Sequence, residues 1–231
     1  MINTVLITLL TVLLHTHDQM NTTPHKLNSH AGYEQYSSLE PIYGTKHLLK
    51  QSYIMPEGLP QEQRRPFYPR VKALPDGSYI MFYQGGQVAS RVMCAYSTDL
   101  INWTGKKVIM GPKRITIDGK TDYERYSNID ATVMKDGSLL AIVSFRAGNH
   151  YSKGIGCGLL QIRSHDNGKT WTRPEIIYKG TNWEPFVIQL PDGRVQCYFT
   201  DSTPRTRNSG TSLIESWDNG VSFGPKKRVS R

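Results

Sequence analysis

A Ser-x-Asp turn followed by an aromatic residue recurs three times in this chain, at 97–103, 164–171 and 216–223. Ser164-His165-Asp166-Asn167-Gly168-Lys169-Thr170-Trp171 is the fullest copy, and Ser216-Trp217-Asp218-Asn219-Gly220-Val221-Ser222-Phe223 repeats it with Phe for Trp. Ser97-Thr98-Asp99-Leu100-Ile101-Asn102-Trp103 is a worn copy that lacks the glycine. The residue types suit a tight hairpin turn: Asp accepts backbone N–H groups, Gly takes positive φ, and the aromatic anchors the next strand. Recurrence at intervals of 67 and 52 residues makes the chain a series of like units.

A second repeat runs in phase with the first. The segments 70–83, 130–143 and 184–198 align on Asp76-Gly77, Asp136-Gly137 and Asp192-Gly193, each flanked by apolar strand-like runs. Strand, Asp-Gly turn, strand is a hairpin signature. Each unit continues through a third apolar strand (92–96, 158–162, 212–215) into the Ser-x-Asp turn and a fourth strand. Four antiparallel strands per roughly 55 residues is a propeller blade. The expected fold is therefore all-β, with blades at 66–112, 126–180 and 182–231.

These turns match the Asp-box pattern, and over 66–231 the chain resembles the sialidase superfamily of β-propellers. Such propellers close with six blades, about 330 residues at this repeat length, so the resemblance implies that about three of six blades are present, the N-terminal half of a longer enzyme. Arg70-Val71-Lys72-Ala73-Leu74 stands where sialidases carry Arg-Ile-Pro-Ala-Leu, whose arginine helps bind the sugar carboxylate; here Lys72 replaces the proline. Trp183-Glu184-Pro185-Phe186, followed by Tyr198-Phe199-Thr200-Asp201, resembles the exo-arabinanase branch, in which the glutamate of a Trp-Glu-Pro-Phe segment is one of two catalytic carboxylates. The resemblance implies a glycoside hydrolase releasing terminal sugars, with its second catalytic glutamate one or two blades beyond Arg231. Non-catalytic carbohydrate- or protein-binding propellers share the same turns, and a dimer of half-propellers would also complete six blades.

The innermost strands of a propeller line a central funnel. Arg70 and Asp130 each stand six residues before an Asp-Gly pair and Glu184 stands eight before, so three charged residues begin three otherwise apolar inner strands. Charge there is costly unless it serves a polar site. Glycoside hydrolysis uses two carboxylates, about 5 Å apart for retention and further for inversion. Glu184 and Asp130 are the catalytic candidates, Asp130 as acid/base or as an acceptor for sugar hydroxyls. Arg70, Trp183, Arg146 and Asp201 are the substrate-binding candidates, Trp183 as a stacking platform and Arg146 with His150 and Tyr151 on a loop at the funnel mouth. Asp99, Asp166 and Asp218 are structural, as is His165 within its turn. No pair of histidines has metal-ligand spacing and no phosphate loop or nucleophile elbow is present, so no metal or cofactor is expected.

The 28 Lys and Arg against 19 Asp and Glu give a net charge of +9, scattered rather than interleaved with aromatics, which suits a solvated surface and not a nucleic-acid face. A positive field does favour anionic glycans. The apolar run Ile2 to Leu14 is too short to span a bilayer and reads as the core of a signal peptide (1–19), implying export, although no basic residue precedes it and no Ala-x-Ala-like site follows. Residues 20–65 form a lead-in in which 39–55 offers a ring-closing strand. Asn21-Thr22-Thr23 and Asn102-Trp103-Thr104 are glycosylation sequons for a eukaryotic secretory host. Three cysteines, Cys94, Cys157 and Cys197, give no disulfide framework, and Cys94 and Cys197 read as buried small hydrophobes. Open sheet edges invite self-association.

Overall fold

The computed structural model describes residues 67–85, 90–201 and 209–230. The signal-like run, the lead-in and the proposed ring-closing strand lie outside the described residues. Among the described residues thirteen strands form three antiparallel sheets. The first sheet is β1 (Phe67–Ala73), β2 (Tyr79–Gly85), β3 (Arg91–Ser97) and β4 (Thr104–Met110). The second is β5 (Lys113–Ile117), β6 (Lys120–Val133), β7 (Leu139–Ala147), β8 (Cys157–Ser164) and β9 (Glu175–Lys179). The third is β10 (Trp183–Gln189), β11 (Val195–Asp201), β12 (Gly210–Ser216) and β13 (Lys227–Arg228). A 3-10 turn at Tyr151–Lys153 is the one helical element among the described residues.

Each sheet follows chain order because each turn is local. In the β1–β2, β6–β7 and β10–β11 hairpins the glycine amide donates back to Leu74, Met134 or Leu190, while Gly77, Gly137 and Gly193 take φ of 83°, 81° and 94°. This is a three-residue loop closed by a left-handed glycine. The Asp of each loop accepts the amide two residues on, at 3.0, 2.9 and 3.0 Å.

The middle sheet departs from the four-stranded expectation. β5 and the first half of the 14-residue β6 make an additional hairpin around Asp118-Gly119, whose φ values of 49° and 73° are both positive. That is the two-residue loop for which Asp-Gly is preferred. The second repeat therefore begins near 113 rather than 126, and an Asp-Gly between alternating residues was the signal for it.

The core lies in the seams between sheets. Ile80, Phe82, Val92 and Cys94 of the first sheet meet Ala131, Leu139, Ala141, Val143 and Ile162 of the second. On the opposite face of the second sheet Leu140, Ile142 and Leu159 meet Val187, Val195, Cys197, Phe199 and Ile214 of the third. β7 is thus covered on both faces, which is why its sequence is apolar without alternation. β6 packs against both β1 and β10, so the three inner strands converge.

The Ser-x-Asp turns hold the periphery of the seams. Within each turn the Ser hydroxyl donates to Asp99, Asp166 or Asp218, and each Asp accepts a backbone amide three or four residues on. Asn167 then reaches back to Asp76 of the first sheet at 2.8 Å, and Asn219 to Asp136 of the second at 3.1 Å.

Candidate functional site

The inner strands β1, β6 and β10 share one irregularity. Each carries a bulge against its hairpin partner, between Phe67 and Arg70, Ser127 and Asp130, and Trp183 and Phe186. At the bulge Tyr68, Asn128 and Glu184 take φ of 51°, 46° and 50°. A left-handed backbone is unfavourable for residues with a Cβ and persists where the surroundings enforce it, commonly at functional sites. The bulge also resets the alignment. Arg70 pairs with Phe82, Asp130 with Ile142 and Phe186 with Tyr198, each three residues into the second strand. Arg70 and Asp130 are therefore equivalent to Phe186, and Glu184 is equivalent to Asn128 and Tyr68. The three charges do not share one register: Phe186 stands six residues before its Asp-Gly pair, as Arg70 and Asp130 do, whereas Glu184 stands eight before, as Asn128 and Tyr68 do.

Their environments differ as well. Asp130 is wholly buried. Its Oδ2 accepts the Val187 amide of β10 at 2.9 Å, and Oδ1 faces the Lys72 ammonium of β1 at 2.9 Å, an ionic contact rather than an aligned hydrogen bond. One carboxylate thus ties three sheets together. Arg70 is half-buried, and Nη1 donates to the neighbouring Pro69 carbonyl at 3.3 Å. Glu184 is exposed beside Trp183, which is 40% exposed.

Around Trp183 a cluster forms that the repeats do not contain. The Arg146 guanidinium lies 4.0 Å from the Trp183 ring centre and 4.8 Å from that of Tyr151, and the two rings meet edge-to-face at 5.8 Å. Nη2 of Arg146 donates to Ser127 Oγ at 2.9 Å. Burial lowers the pKa of Arg146 below its usual value. Tyr151 is set by its loop: buried Asp122 meets His150 Nδ1 at 2.7 Å, accepts the Asn149 amide at 3.0 Å and the Tyr123 amide at 2.7 Å. The His150 bond, with the two amides adding and burial opposing, holds the Asp122 carboxyl at about 2. Sequence reasoning placed Arg146, His150 and Tyr151 at a mouth but missed Asp122 and Ser127. Asp122 lies on the unanticipated half of β6, where a lone strand aspartate carries no motif.

Asp201 does not join this cluster. It is buried at the end of β11, where Lys226 donates to it, Ser212 Oγ lies 3.5 Å away and Arg228 4.0 Å. Lys226 also stands 5.8 Å over the Tyr178 ring of the second sheet, so Asp201 belongs to the seam. Asp99, Asp166 and Asp218 lie in the peripheral turns, their carboxyls held below the usual range by turn donors. Among the described residues no group of three or more His, Cys, Asp or Glu is arranged to hold a metal.

No protein-family model matches the chain, and no curated protein does. Solved structures match in fold. A Hadza microbial sialidase aligns at 16% identity and TM-score 0.54, over 70% of this chain and 37% of its own. The Penicillium chrysogenum alpha-L-arabinanase complexed with arabinobiose aligns at 20% and 0.50, over 71% and 49%. A family 117 glycoside hydrolase of Zobellia galactanivorans aligns at 14% and 0.54, over 70% and 54%. The chain has the fold of part of a sialidase-like β-propeller, and it spans between about a third and just over half of these three structures.

Proposed function

We propose that this chain forms part of the propeller of a glycan-active enzyme, a glycoside hydrolase that releases terminal sugars outside the cytoplasm. Glu184 is the reacting carboxylate, Trp183 the sugar platform, and Arg146 and Arg70 the polar contacts. The observation that carries this reading is the left-handed Glu184 at the bulge of an inner strand, next to a half-exposed tryptophan. The same left-handed backbone recurs at Tyr68 and Asn128, and of the three bulges only this one carries a carboxylate there. That the similar folds include a sialidase, an arabinanase and a glycoside hydrolase supports the substrate class. In this reading Asp130 is a positioning residue rather than the acid, because Lys72 and the Val187 amide occupy its two oxygens. Asp201, engaged by Lys226, stiffens the third sheet. Export rests on the signal-like Ile2–Leu14 run, and no helix among the described residues is long and apolar enough to cross a membrane.

The same engagement of Asp130 favours a second reading, a carbohydrate-binding propeller without turnover. Purified chain assayed for hydrolysis and binding over neutral and acidic oligosaccharides separates the two. If the chain turns substrate over, Glu184→Gln is expected to reduce kcat by about 10²–10⁴-fold with an unchanged Tm. Binding lost in Trp183→Ala, with no turnover either in the parent chain or in one lengthened to six blades, would establish the binding module instead.

A further inference from the structure

Several cations in these sheets meet acids: Lys72 meets Asp130, Lys226 meets Asp201, Arg194 meets Glu215, and Arg163 lies 3.8 Å from Asp136. Arg146 does not. Among the described residues no carboxylate lies within 4.0 Å of it, and its partner is the neutral Ser127 hydroxyl. A guanidinium withdrawn from water without a counter-charge is unfavourable unless something replaces its hydration. The faces of Trp183 and Tyr151 replace part of it through cation–π contact. Trp183 lies against one side of the group and Tyr151 flanks it, the two ring centres 5.8 Å apart; Ser127 takes one terminal nitrogen, and the group keeps further N–H donors. In-plane donors are what a carboxylate accepts in bidentate fashion. A second leftover group lies in the same cluster: the Tyr151 hydroxyl is buried with no hydrogen-bond partner among the described residues.

The geometry points to Arg146 as the anchor for the carboxylate of an acidic sugar of the uronate class, its ring lying against the exposed part of Trp183. The inference rests on the glycan-active reading and narrows it. It also differs from the expectation drawn from the Arg70 segment, since Arg70 belongs to the register of Asp130 and spends a donor on Pro69. Asp122 serves as a positioning residue by fixing the turn that presents Tyr151.

The test is calorimetric titration of the full chain with tetramers of galacturonate, glucuronate and mannuronate, each paired with its methyl ester. The ester keeps the shape and removes the charge. At least one acid is expected to bind about tenfold or more tightly than its ester, with the preference shrinking as salt rises. Arg146→Gln removes the preference at unchanged Tm. Arg146→Lys, which keeps the charge and guards against a folding defect in the first variant, restores it only partly. Arg194→Gln, at a guanidinium engaged by Asp192 and Glu215, leaves it intact. Equal affinity for acid and ester, a preference surviving in Arg146→Gln, or one lost in Arg194→Gln overturns the proposal. Binding of neutral arabino-oligosaccharides without any uronate preference overturns it while sparing the glycan reading. Binding of no saccharide overturns both.

Discussion

Tyr68, Asn128 and Glu184 occupy one conformation with three chemistries, and only asparagine is at ease there. Glu184→Asn is expected to stabilise the fold by a few tenths to about 1 kcal/mol, measured by urea denaturation, while abolishing whatever activity the glutamate confers. Stability gained at the expense of function is the signature of a strained working residue; a destabilised variant would mean that the Glu184 side chain itself supports the bulge. Asp166→Ala, remote from the inner strands, strips acceptors from the Thr170 amide, the Thr170 hydroxyl and the Ser164 hydroxyl. Its Tm should fall while ligand affinity in the folded fraction stays as in the parent. At this scale the sequence was partly legible. Trp183-Glu184-Pro185-Phe186 announced itself through residue types, and Arg146 through its place on a loop. The equivalence of Glu184 with Asn128 was legible as a shared spacing of eight residues from the Asp-Gly turn; the bulge itself was not, because it is defined by hydrogen bonds across a hairpin, and Asp122 was hidden because its partners come from a loop 27 and 28 residues later.

Strands and turns were the most legible level, since Asp-Gly loops and apolar alternation act over a few residues. The seams were less so, because they join residues far apart in the chain. Gly168 and Gly220 show why those turns need glycine twice over. Besides φ of 82° and 79°, a methyl on Gly168 would stand 2.7 Å from Ile80, and one on Gly220 2.8 Å from Leu140 and 3.0 Å from Arg163. Gly220→Ala is expected to destabilise by more than about 1 kcal/mol, visible as a lower urea midpoint, because the turn must back away from the second sheet. If the midpoint is unchanged, the turn does not bear on that sheet in solution. The first copy of the turn carries Leu100 and Ile101, both exposed, where the others carry asparagine and glycine. It therefore lacks both the amide that reaches a neighbouring Asp-Gly loop and the residue that fits against a neighbouring sheet. This weakens the case for two copies of this chain closing a ring through the same contact.

For the whole molecule, acid is the condition that tests the most contacts at once. Asp122 titrates at about 2 in the fold and near 4 when unfolded. A folded-state pKa below the unfolded one gives stability that is complete above about pH 4 and disappears as pH falls toward 2. The three turn aspartates are lowered in the same sense. Melting temperature is thus expected to fall steeply between about pH 4 and 2, and Asp122→Asn should flatten part of that slope; an unchanged slope would remove Asp122 from the account. Asp130 has a consequence of another kind. Because its two oxygens reach strands on either side of its own, the second repeat was fitted simultaneously to both neighbours, and neither contact is reproduced by Arg70 or Phe186 at the matching positions. Exchanging the first repeat for another would remove Lys72 and leave this buried carboxylate without its counter-charge, so the repeats are not interchangeable.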